Sequence, residues 1–132
     1  MSGAGDNGQT RRQRGEAALE RIHGERGMGY VAALREFAPD MADLLVDVPY
    51  GDIYARPGLD PKSRQIATIA SLTTLGGADH ELTIHIRSAL RIGCTRQEII
   101  EVILQMTVYA GFPRALSALS AAKIAFAQAD GS

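Results

Sequence analysis

The chain has 132 residues, 45% of them apolar and 22% charged, with 14 basic and 15 acidic side chains and a net charge of −1. A chain of that length can bury a core of its own without disulfides or a metal. Its interspersed charges form no basic stripe for nucleic acid, and no apolar run approaches the roughly 20 residues of a membrane span.

Residues 1–10 are rich in Gly, Ser, Asn and Asp and offer nothing to bury, so this segment is expected to be disordered. Residues 11–128 are expected to form a single helical domain. The N-terminus has no apolar segment after its arginines, so no signal peptide is expected and the location is expected to be cytoplasmic. Cys94 is the sole cysteine, which excludes an internal disulfide and a dithiol cycle within one chain.

Taken in chain order, pattern and punctuation predict an all-α protein. Arg12 to His23 is charged and Ala/Leu-rich, a helix up to Gly24. Tyr30 to Phe37 and Asp40 to Val46 read as short helices split at Ala38-Pro39, because proline disfavours helical geometry in the residue before it. Val48 to Gly58 holds two Pro and two Gly and is expected to be a loop or broken turn. Asp60 and Pro61 suit the cap and first turn of a helix running to about Leu75, which Gly76-Gly77 ends. Asp79 is expected to cap the next helix, which stops at Gly93. Thr95 to Glu98 is a capping box for a third helix, which ends at Ala110-Gly111. Pro113 opens the last helix, whose Ala115, Ala118, Ala121, Ala122 and Ala125 recur at helical spacing. The short connections from residue 60 onward predict antiparallel neighbours.

Glu81 and His85 lie one helical turn apart, on one face, with Cβ atoms about 5–6 Å from each other. A carboxylate beside an imidazole can raise its pKa and make a proton donor near neutral pH. Spacing alone leaves two other possibilities: a His85 packed among Leu82, Ile84 and Ile86, or a solvated surface pair. Neither His23 nor His80 has metal-like spacing to this pair, so no metal is expected. Arg64, on a polar face with Lys62 and Gln65, can hold a substrate carboxylate through two parallel hydrogen bonds. Tyr109 can donate a hydrogen bond to a developing oxyanion, or be a core residue. Tyr50, Asp52 and Tyr54 are positioned to act as a lid or pocket wall.

The stretch from Glu81 to Phe126 carries E-L-x-x-H, A-L-x-x-G, T-x-x-E-I-x-E and Y-A-G-F-P in that order, followed by the small-residue helix. With R-P-G-L-D-P-K-S-R at Arg56 to Arg64, it resembles the carboxymuconolactone decarboxylase family, over about Gly29 to Phe126. The resemblance implies an all-helical fold shared with the AhpD peroxidases, built on a helical hairpin around Gly76–Asp79 and assembled as a homotrimer or homohexamer. Peroxidase members carry C-x-x-C-x-x-x-H on the second helix of that hairpin. Here Ala78 and Glu81 stand at the two cysteine positions and His85 at the histidine, so dithiol peroxidase activity is not expected.

The family's namesake reaction removes CO2 from a butenolide with two carboxylates and needs no cofactor. The resemblance therefore implies a cofactor-independent lyase on a small carboxylated lactone. In that reaction His85 and Glu81 would be catalytic, and Arg64, Tyr109 and Tyr54 would contact substrate. Two features depart from members of the protocatechuate pathway, which tend to carry His at the position of Gln105 and Trp in the segment of Tyr50 and Tyr54. The alternatives are an isomerase, dehydratase or natural-product tailoring enzyme on a cyclic acid in the same pocket, or a catalytically silent helical oligomer.

Overall fold

The computed structural model describes residues 8–131, which form helices and turns without a strand. The chain is all-α. Residues 1–7 of the segment expected to be disordered lie outside the described residues. Within the stretch expected to be one domain, the helices gather into two compact units that meet in sequence at Asp60 and Pro61.

The first unit begins with α1 (Arg11–Phe37). Thr10, assigned by sequence to the disordered segment, caps it instead: Gln13 N–H donates to Thr10 Oγ1 at 3.1 Å, and Thr10 N–H to Gln13 Oε1 at 2.9 Å. The stop expected at Gly24 is a local break, after which the helix resumes and runs on to Phe37. Ala38 leaves the helical region, with φ −143° and ψ 77°, as the residue before proline tends to, and α2 (Pro39–Leu45) follows.

The segment Val46–Tyr54 overturns the loop expected for Val48 to Gly58, because it is a π-helix with Pro49 inside it. Proline cannot donate the α-helical bond and its ring crowds the carbonyl four residues back, a conflict that the wider π turn relieves. Beyond its end, residues 55–60 make the irregular turn, which holds Pro57 and Gly58. Two glycines let α1 lie directly on this element. A Cβ on Gly15 would sit 2.3 Å from the Val46 carbonyl oxygen, and one on Gly51 would sit 2.8 Å from that of Arg11. Bidentate pairs of Arg11 with Asp52 and Arg12 with Asp47 pin the same contact and hold both carboxyls below the usual range. Ala18, Leu19, Ile22, Val31, Ala42, Val46 and Tyr50 form the core.

The second unit comprises α3 (Pro61–Leu75), α4 (Asp79–Arg91), α5 (Arg96–Tyr109) and α6 (Phe112–Gly131). Gly76 and Gly77, with φ of 72° and 73°, make the left-handed turn that ends α3. Ala78, not Asp79, is the N-cap of α4 and gives no side-chain bond. Asp79 and Glu81 instead place negative charge in the first turn, where the helix dipole favours it. The Thr95 box forms as expected, with Glu98 N–H donating to Thr95 Oγ1 at 3.0 Å and Thr95 N–H to Glu98 Oε1 at 2.8 Å. The five alanines of α6 are buried, which brings its backbone close to α4 and α5. Ile69, Leu82, Ile86, Ile99 and Ile103 complete this core. Among the described residues no helix is long and apolar enough to cross a membrane.

Candidate functional site

Four of the five expected site residues, Arg64, Glu81, His85 and Tyr109, belong to the second unit, while Tyr54 belongs to the first. The hydrogen bond that defines the site comes from outside that set. Nδ1 of half-buried His85 lies in hydrogen-bond contact with Oε1 of Gln65 at 3.0 Å, joining α4 to α3. Gln65 was expected on a polar face with Lys62 and Arg64, but it is 0% exposed. It heads the buried line of α3, Gln65, Ile69 and Thr73, spaced one turn apart. That spacing is the sequence signal that could have revealed it.

The electrostatics also differ from the expected pair. Burial pushes the His85 pKa down to about 4, and Glu81, which acts to raise it, is outweighed. Glu81 is exposed, so water screens its charge. In the unliganded protein His85 is therefore a neutral imidazole at neutral pH rather than a poised imidazolium.

Gln65 Nε2 has no hydrogen-bond partner, and among the described residues it is the buried side-chain polar atom in that state. Buried Thr73 and Ser88 meet their needs locally, donating to the carbonyls of Ile69 at 2.8 Å and Ile84 at 3.1 Å. Leaving a buried N–H unpaired costs about 1–3 kcal/mol, so Gln65 is a poor choice for stability alone.

Arg64 is half-buried in the first turn of α3, immediately before Gln65. Lys62, its neighbour on α3, is engaged with Glu98 at 2.9 Å. Tyr109, at the end of α5, is 73% exposed and so is not the core residue that its composition allowed. Cys94, in the turn between α4 and α5, is 4% exposed and packs in the second core, a setting that makes a thiol inert. Among the described residues no three His, Cys, Asp or Glu side chains converge as a metal site would require.

The first unit holds a buried polar contact that spacing did not indicate. His23 Nε2 and Tyr50 Oη are 2.5 Å apart, with the rings edge to face at 5.3 Å. Tyr54 stacks on Tyr50 at 5.2 Å, so Tyr50 is a core residue rather than a lid, and burial raises its pKa. Asp52 is paired with Arg11.

Residues 39–123 match the model of the carboxymuconolactone decarboxylase family. The chain is 31% identical over 121 residues to a 4-carboxymuconolactone decarboxylase of Acinetobacter baylyi, covering 91% of this chain and 90% of the relative. The chain belongs to the carboxymuconolactone decarboxylase family. A second relative is an uncharacterized 15.0 kDa protein of Paracoccus denitrificans from the nqo9-nqo10 intergenic region, 33% identical over 74% of each chain. A third is the nitrosuccinic acid decarboxylase npaB of Metarhizium robertsii, 36% identical over 58% of this chain and 53% of its own. The region matched by the family model includes Arg64, Gln65, Glu81 and His85, whereas His23 lies before it.

Proposed function

We propose that the protein is a cofactor-independent decarboxylase of a small carboxylated acid, with a carboxylated lactone as the favoured substrate class. The carrying observation is the half-buried His85 on its Gln65 support, in a chain similar to decarboxylases of 4-carboxymuconolactone and nitrosuccinic acid. Those two compounds share a feature suited to loss of CO2 without a cofactor. Each has an acceptor, a conjugated lactone carbonyl or a nitro group, able to take up the electron pair left by CO2.

The step balances with protein groups alone. The bond from carbon to the departing carboxylate breaks and its electron pair passes through the ring double bond into the lactone carbonyl. The resulting dienolate then takes a proton at carbon from the His85 imidazolium. Net consumption is one proton, which neutral His85 recovers from solvent. An anionic substrate supplies the charge that the free site lacks: a carboxylate held out of water beside His85 favours the imidazolium far more than exposed Glu81 does. Arg64 serves best on the spectator carboxylate, because clamping the departing one would stabilise the ground state and slow the reaction. A panel of carboxylated butenolides tests the assignment, with CO2 evolution as the expected result. Consumption of every active substrate without CO2 would favour an isomerase or dehydratase.

We also propose that copies of the chain associate into a trimer or hexamer. Ile100, Leu104 and Val108 make an exposed apolar stripe along α5, and Phe112 and Leu116 extend it onto α6. A stripe of that kind marks an association surface. Sedimentation at micromolar concentration is expected to give a multiple of 14.1 kDa, and a monomer would remove the claim.

A further inference from the structure

We propose that Gln65 is a positioning residue that holds His85 in the tautomer protonated on Nδ1, so that protons exchanged with substrate pass through Nε2. With the Gln65 amide turned so that Oε1 faces the ring at 3.0 Å, the proton belongs on Nδ1, because a carbonyl oxygen only accepts. A neutral imidazole carries one ring proton, and Nε2 is then the basic nitrogen. Free histidine in water favours the opposite tautomer, so the protein must supply the bias.

Two observations make Gln65 the source of that bias. It is fully buried on α3, and its position is fixed by the helix rather than by a loop. Its amide makes one hydrogen bond, to His85, while its Nε2 is left without a partner at a site where an apolar side chain would leave nothing unpaired. The choice of a neutral amide also matters chemically. When His85 takes up a proton the Nδ1–H stays on Gln65, which cannot accept the proton, and the exchangeable one sits on Nε2.

The part assigned to Nε2 in turnover rests on the decarboxylase reading, but the tautomer does not and is read in the substrate-free protein. Long-range proton–nitrogen NMR on histidine-labelled full-length protein at pH 7 is expected to give a pyrrole-type Nδ1 and a pyridine-type Nε2 for His85. In Gln65→Met, of nearly equal size, the pyrrole-type Nδ1 signal should be lost in favour of Nε2–H. An Nε2–H tautomer in the wild type would overturn the proposal, as would an unchanged tautomer in Gln65→Met. Should that variant fail to fold, the wild-type spectrum and that of Gln65→Leu decide. A correct tautomer in a protein that releases no CO2 would leave the role of Gln65 standing and sink only the proposed reaction.

Discussion

His85→Gln is expected to lower kcat by roughly 10²–10⁴, the usual scale for losing a general acid. Glu81→Gln should cost less, because it leaves the imidazole and its Gln65 support in place and removes only a screened charge. The double variant should be no worse than His85→Gln alone, since residues that act as one unit fail together. The acid must be protonated to act, so activity falls as pH rises through its pKa. The kcat/KM profile reports the free protein and should fall above about 4, while the kcat profile reports the complex and should fall at a higher pH, displaced by the substrate's charge. Glu81→Gln should move the kcat/KM limb to lower pH, because Glu81 raises the His85 pKa. A His85→Gln protein that folds and retains near-native turnover would contradict the assignment.

The wild type should also lose stability between pH 6.5 and pH 4 in a way that His85→Gln does not. The folded-state pKa of His85, about 4, lies below the ordinary 6.5, so the unfolded chain binds more protons in that window. Stability is therefore full above 6.5, declines as pH falls, and levels off below 4, where both states are protonated. A shift of that size is on the order of 3 kcal/mol at about 1.4 kcal/mol per pKa unit. Asp47, Asp52 and Glu98 have lowered pKa values and destabilise as pH falls through and below the ordinary carboxylate range, but both proteins carry them, so the difference between the two isolates His85. Urea unfolding of each protein at pH 7 and pH 4 measures it. Equal losses in the two would mean that His85 is not held neutral by burial.

What was legible in the sequence follows from the range of each interaction. The bounds of α3 and the start of α5 are set by neighbours in the chain, Pro61, Gly76, Gly77 and the Thr95–Glu98 box, and the structure reproduces them. The π-helix was missed because Pro49 and Gly51 read as breakers, whereas here the proline is absorbed by the wider turn and the glycine admits α1. His85 was found but its partner was not. Spacing along α4 can propose only Glu81. The spacing of Gln65, Ile69 and Thr73 marks Gln65 as inward-facing on α3, but its meeting with His85 is decided by how α3 packs on α4. The same limit applied to His23 and Tyr50, distant in sequence and joined only in the folded first unit. The sign of the His85 shift depended on burial, which tertiary packing decides, and so it ran opposite to the expectation from Glu81.

Decarboxylation followed in heavy water tests the central claim most directly, with a carboxylated butenolide labelled at the departing carboxyl and with chelator-treated protein. The account predicts one labelled CO2 for each substrate consumed, one deuterium bound at carbon in the product, and loss of both in His85→Gln. Substrate consumption by the wild type without labelled CO2 would contradict it.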